Sequence, residues 1–179
     1  MSDNFATTGA QMITKPLHVA TVGKKQLRFF RTPIDDGRPD FPWHAVDDLQ
    51  QSLGLDGRAR ETLRKAYWES VEFRTAYRTI ATEGQLTRVA PHHVAQGLID
   101  AMIQLGVAPS TVRTEYENAG VEALVKLTLH LSFQSEVYAW MKAAIERHDK
   151  DIAHYSRGAV SRKTSPNSCQ RNAALAVRS

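Results

Sequence analysis

The stretch that decides the fold is Phe41 to Leu55, FPWHAVDDLQQSLGL, in which an aromatic cluster leads into a short amphipathic helix. Three apolar residues recur at the spacing that places side chains on one helix face: Val46, Leu49 and Leu53. Asp47 and Asp48 occupy the first turn, where the helix dipole favours negative charge, and Gly54 is a typical helix-ending residue. We therefore predict a helix over residues 45–53 around which the rest of the chain is organised.

Composition predicts one folded domain, because 179 residues with 42% hydrophobic content suffice for one ordinary core. We predict a flexible N-terminus over residues 1–15, a single domain over 16–148 and a disordered basic tail over 149–179. No apolar run approaches the roughly 18–20 residues of a membrane span. The N-terminus has no apolar stretch typical of a secretory signal, and the single Cys169 agrees with a reducing compartment, so we expect a cytoplasmic protein.

The net charge of +4 suggests an anionic partner, but it is unevenly distributed. From His148 to Ser179 there are six cations and two acids, so this segment carries the whole excess and the remainder is neutral. A positive surface on the folded part must therefore come from local clusters.

Two hairpins are predicted, each with a two-residue turn of the type that accepts positive φ. The strands are Leu17–Val22 with Gln26–Thr32 around Gly23-Lys24, and Tyr77–Thr82 with Gln85–Ala90 around Glu83-Gly84. Helical spacing predicts four further helices: Arg58–Ser70 after the cap Asp56, one from Pro91 to the stop at Gly106, one from Ser110 to about Leu127, and one from Phe133 to Ile145. The expected class is α+β, with small antiparallel hairpins packed against about five helices.

This order of elements resembles the BRO-N domain of phage antirepressor proteins. In that family a Trp followed by an alternating apolar segment enters a helix that carries an acidic residue and ends in Leu-Gly; the matching positions are Trp43, Val46, Asp47, Leu49, Leu53 and Gly54. Thr79 to Leu105 and Phe133 to Met141 also correspond, so the resemblance covers about half of the chain. It implies DNA binding and regulation of phage or mobile-element genes, without catalytic residues.

The candidate DNA contacts are the cations of the first hairpin and of the helix after Asp56: Lys24, Lys25, Arg28, Arg31, Arg58, Arg60, Arg64 and Lys65. The run from Lys24 to Arg31 contains no acid and interleaves arginines with Phe29 and Phe30, a pattern suited to phosphate contacts and stacking. The alternative is that a Phe faces the core, that the cations face solvent, and that Glu61 pairs with Lys65.

A second hypothesis is a protein-interaction module without direct DNA contact, which binds a repressor or other regulatory protein or forms a homodimer. Its predicted interface is the apolar stripe of the last helix: Phe133, Val137, Trp140 and Met141. The hypothesis of an enzyme is the least favoured, because the sequence contains no catalytic motif. We also expect no cofactor. Asp47-Asp48 and His92-His93 do not predict a metal site, since successive helix residues point in different directions.

Overall fold

The computed structural model describes residues 14–69 and 76–161, with the side chains of residues 64, 66–69 and 154–161 outside the description. Its elements in chain order are β1 (His18–Val22), β2 (Lys25–Phe30), β3 (Trp43–Ala45), α1 (Val46–Ser52), α2 (Gly57–Glu69), β4 (Arg78–Thr82), β5 (Gln85–Ala90), α3 (His92–Gln104), α4 (Thr111–Thr128) and α5 (Gln134–Ser161). The predicted α+β class is confirmed.

Both hairpins form as the turn residues predicted. Gly23 and Lys24 have φ of 56° and 67°, and Glu83 and Gly84 have φ of 49° and 77°. Two consecutive residues with positive φ match the right-handed twist of the strands they join, which is why Gly occurs in each turn.

The two hairpins are joined into one antiparallel sheet by a strand that the sequence analysis missed. The strand order is β1-β2-β3-β5-β4, and β3 pairs through Phe30 with Trp43 on one side and through Ala45 with Val89 on the other. The sequence pattern of Phe41 to Ala45 predicts only an aromatic entry into the helix. Three residues are too few for a period-2 pattern to be seen, and their pairing depends on partners far along the chain.

Each face of the sheet buries its own apolar cluster. On one face Leu27 and Phe29 pack with residues of α1 to α4, including the fully buried Tyr116. On the other face Phe30, Trp43 and Val89 form a smaller cluster. Successive strand residues alternate between the faces, so neighbours such as Phe29 and Phe30 are both buried.

The predicted helix ends are correct at Gly54 and Gly106, which have φ of 77° and 70°. The last helix differs from the prediction, because α5 continues to Ser161. Residues 149–161 therefore lie in a helix, whereas the rest of the predicted tail, residues 162–179, lies outside the described residues. The domain boundary at residue 148 stays a prediction. None of the described helices combines the length and apolar composition needed to cross a bilayer.

The segment before β1 reaches the far edge of the sheet. Leu17 donates a backbone hydrogen bond to the Phe29 carbonyl on β2, whereas Thr14 donates one of 2.9 Å to the Ala81 carbonyl on β4. β1 and β4 are the two outermost strands, so this segment connects opposite edges.

Candidate functional site

The turn of the first hairpin lies against the end of α1. A Cβ built on Gly23 would be 2.1 Å from the backbone oxygen of Ser52, and the Gly23 amide donates to the Glu115 carboxylate on α4 at 2.7 Å. The next two residues, Lys24 and Lys25, are exposed. Two lysines are thus held beside the connection between α1 and α2.

That connection leads directly into the basic helix. Asp56 caps α2 by accepting the Ala59 amide at 2.8 Å, as predicted. The inner side of α2 carries Ala59 and Leu63, which are buried in the same cluster as Val22, the residue before the hairpin turn.

The outer side of α2 is charged. Arg58 and Lys65 are exposed, and Arg60 is partly exposed with its Nε 3.4 Å from the Asp56 carbonyl oxygen. Lys65 lies 4.0 Å from Glu61, the pair expected from the four-residue spacing. We call the exposed cations Lys24, Lys25 and Arg58 the basic end.

Arg28 does not belong to the basic end. Its Nε and Nη2 donate to the Asp48 carboxylate at 2.7 and 3.0 Å, and its backbone amide donates at 3.2 Å. The hydrogen bonds to Asp48 raise the Arg28 pKa. The arginine is therefore neutralised and holds β2 to α1, which makes it a poor phosphate contact.

The corresponding arginine of the second hairpin is bound in the same way. Arg88 on β5 donates to Asp47 at 2.6 Å, and β2 and β5 share one burial pattern. The Asp47-Asp48 pair, which the sequence explained by the helix dipole, also ties one hairpin to each side of α1.

Two predicted DNA contacts, Arg31 and Arg64, are not part of the basic end. Arg31 is exposed just after β2, and the six residue steps from Lys25 to Arg31 span about 20 Å of extended chain. The side chain of Arg64 is not described. The structure thus places Lys24 and Lys25 beside the end of α1 and Arg58 in the first turn of α2, six residues after Ser52.

The predicted partner interface is divided by the packing of α5. Phe133 is 67% exposed, whereas Val137, Trp140 and Met141 are half-buried against the body of the protein. Most of the predicted stripe therefore faces inward. Large apolar side chains are instead exposed at Tyr138, Ile145 and Ile152.

A cleft of about 420 Å³ lies between α5 and the loop that precedes β3. Asp36 in this loop binds Arg38 and Arg147, and these contacts lower the Asp36 pKa to about 2, with the hydrogen bonds from Arg38 as the largest cause. Arg147 also lies 3.6 Å from Asp40, which accepts the Trp43 indole N–H at 2.9 Å. Asp36, Asp40, Arg38 and Arg147 thus pair with one another, which favours a structural role for these residues of the cleft.

Four histidines from three elements gather beside this cleft, a feature that the sequence analysis missed. His92 and His93 begin α3, His148 comes from α5, and His44 is the middle residue of β3. The His148 ring centroid lies 5.9 Å from that of His92 and 5.7 Å from that of His93. His92 Nδ1 is 3.0 Å from the Tyr116 hydroxyl. The sequence shows only that His92 and His93 are adjacent, whereas the fold brings His44 and His148 close to them.

Three of these residues, His44, His92 and His93, are held in their neutral form. Burial is the largest cause that lowers the pKa of His44 to about 3 and those of His92 and His93 to about 4, and neighbouring histidines lower them further. Within residues 14–69 and 76–161, no three His, Cys, Asp or Glu side chains are arranged to hold a metal ion. Comparisons of the chain with protein-family models, curated proteins and solved structures find no match.

Proposed function

We propose that this protein is a non-enzymatic DNA-associated regulator of the phage or mobile-element type that contacts phosphates with its basic end. The observation that carries the proposal is the close approach of Gly23 to Ser52, which brings the turn with Lys24 and Lys25 to the helix that leads towards Arg58. The proposal takes these cations, which come from two separate parts of the chain, to form one phosphate-binding surface. The same role is what the resemblance of the Trp43 to Gly54 segment to the BRO-N domain implies, and such a regulator acts in the cytoplasm.

Phosphate contacts of this kind produce affinity without base recognition. Each neutralised phosphate releases counterions, so the logarithm of the binding constant falls with the logarithm of salt concentration by about 0.9 per contact on duplex DNA. Base-specific readout would require side chains that enter a groove. The proposal therefore assigns the basic end a positioning role on DNA.

The test is fluorescence anisotropy with random duplex DNA from about 50 to 200 mM salt. The triple variant Lys24→Ala, Lys25→Ala and Arg58→Ala is expected to lose most of the affinity and about two to three units of the salt slope. The matched control, Lys15→Ala, Arg31→Ala and Lys150→Ala, removes the same charge from exposed positions elsewhere and is expected to retain the slope.

Absence of binding at the lowest salt would overturn the proposal. Equal losses in both triple variants would do so too, because they would show that net charge matters and the basic end does not.

A second candidate, a protein-interaction module, is favoured by an exposed stripe on α4. Val121 and Val125 on α4 and Leu129 just after its end follow at four-residue spacing and are 59%, 54% and 75% exposed. A repressor or other regulatory protein with an apolar groove would suit this stripe. If Val125→Asp abolishes regulation in cells while DNA affinity is unchanged, the second candidate is preferred.

A further inference from the structure

α5 carries two different faces along its length. Its inner face holds the half-buried Trp140 and Met141, the buried Ala144, and His148 within the histidine group. Its exposed positions include a set with alternating spacings of four and three residues: Tyr138, Lys142, Ile145, Asp149 and Ile152. We call this set the α5 seam.

The spacing of the seam is that of two helices packed side by side. An average of 3.5 residues keeps the same face towards a partner helix over several turns. From Tyr138 to Ile152 the seam runs about 21 Å at 1.5 Å per residue. Three of its members are large and apolar, with exposures of 72%, 46% and 40% for Tyr138, Ile145 and Ile152.

The two charged residues of the seam, Lys142 and Asp149, determine which partner helix fits and whether it runs parallel or antiparallel to α5. In a parallel pair of identical helices, Lys142 would lie beside Lys142 of the second copy and Asp149 beside its equivalent, so both contacts would repel. In an antiparallel pair related by a two-fold axis near Ile145, Lys142 lies beside Asp149 of the second copy, and the symmetry repeats this ion pair.

The same axis matches the apolar members. Tyr138 then lies beside Ile152 of the second copy, and Ile145 lies beside its own equivalent. Positions with residue numbers that sum to 290 or 291 therefore meet throughout the seam, apolar with apolar and cation with anion. We propose that this protein forms an antiparallel homodimer through the α5 seam.

This inference is independent of the proposed DNA contact, because the seam and the basic end use different elements. A single pair of helices makes a small interface, so the dissociation constant is expected on the order of micromolar. The direct measurement is the molar mass of the full chain by sedimentation over a concentration series. Ile145→Glu, which places two carboxylates at the axis, is expected to give a monomer.

Charge exchange tests the direction of the helices. Lys142→Asp and Asp149→Lys are each expected to raise the dissociation constant about tenfold, since each creates two repulsive contacts. The double variant restores both ion pairs and is expected to recover dimerisation. A mixture of the two single variants should form the heterodimer in preference to either homodimer. A parallel pair would also favour this heterodimer, but each single variant and the double variant would then dimerise as weakly as the unsubstituted protein, because a parallel pair sets each residue beside itself. The single and double variants therefore decide the direction of the helices.

Val125→Glu, on the exposed stripe of α4, is the matched control and is expected to leave the dimer intact. All substituted side chains are exposed, and circular dichroism verifies that each variant is folded. A monomer at every concentration would overturn the proposal. So would a dimer that survives Ile145→Glu and dissociates with Val125→Glu.

Discussion

At the scale of single residues, the two consecutive aspartates of α1 differ in burial and in the number of hydrogen bonds that they accept. Asp48 receives three hydrogen bonds from Arg28, and its side chain is 13% exposed. Asp47 receives one bond from Arg88, and its side chain is 48% exposed. Both lie in the first helical turn, so their interaction with the helix dipole is nearly the same. A comparison of the two aspartates therefore isolates the contribution of the Arg28–Asp48 ion pair to the free energy of unfolding.

We expect Asp48→Ala to lower the free energy of unfolding by about 2 kcal/mol, because it removes several charge-assisted bonds and leaves Arg28 unpaired in a partly buried place. Asp47→Ala is expected to cost less than about 1 kcal/mol, as is usual for an exposed pair. Urea denaturation of both variants gives the comparison. Equal losses of unfolding free energy would mean that the Arg28–Asp48 ion pair contributes little beyond the interaction with the helix dipole.

These residues also show where sequence reasoning stops. The sequence pattern predicts a DNA contact for Arg28 and an interaction with the helix dipole for Asp47 and Asp48. Their contact joins positions 20 residues apart and depends on α1 lying beside the start of β2. Local patterns report a residue's type and periodicity, whereas its partner is set by tertiary packing.

At the scale of elements, the two hairpins are alike in turn and burial but differ in what surrounds the turn. Gly23 is packed on the Ser52 carbonyl, whereas no atom of residues 14–69 or 76–161 lies within 4 Å of a Cβ placed on Gly84. Both glycines have positive φ, so an alanine at either position meets the same kind of backbone strain.

We expect Gly84→Ala to cost about 1 kcal/mol, the strain of the left-handed conformation. Gly23→Ala is expected to cost at least about 2 kcal/mol more, because the hairpin must move away from α1. Thermal denaturation of the two variants measures the difference. Similar losses would show that the turn moves away from Ser52 without cost, which would also weaken the geometric argument for the basic end.

Most elements could be predicted because their signals are local. Turn glycines marked both hairpins, Asp56 and Pro91 marked helix starts, and apolar spacing marked helix faces. β3 could not be predicted, since three residues between Pro42 and α1 become a strand only when Phe30 and Val89 are beside them. The length of α5 was missed because its outer positions mix apolar and charged residues, which weakens a one-sided stripe.

At the scale of the whole molecule, the histidines connect the sheet, α3 and α5. His44, His92 and His93 are neutral because burial lowers their pKa values, and His148 and the Asp40 carboxylate lie among the groups that act on His93. An unfolded chain would bind protons on these histidines near the ordinary pKa of 6.5. The unfolded state therefore gains more protons than the folded state when the pH falls below that value.

The free energy of unfolding is accordingly expected to be highest above pH 6.5 and to fall as the pH decreases towards 4, the folded-state value for His92 and His93. The slope is on the order of 1.4 kcal/mol per pH unit for each histidine. Urea denaturation at several pH values measures it.

His92→Gln is expected to reduce this pH dependence, whereas His130→Gln, at an exposed position, is expected to leave it unchanged. A stability that stays constant across this range would contradict the burial of neutral histidines.

The contact of Thr14 with Ala81 bears on how copies of this protein meet. An outermost strand normally offers free backbone groups to which a strand of another molecule can add. At Ala81 on β4 one such acceptor is already occupied by the protein's own chain, arriving from the opposite side of the sheet. A foreign strand would have to displace that segment before pairing there, so intermolecular sheet extension is hindered at this border.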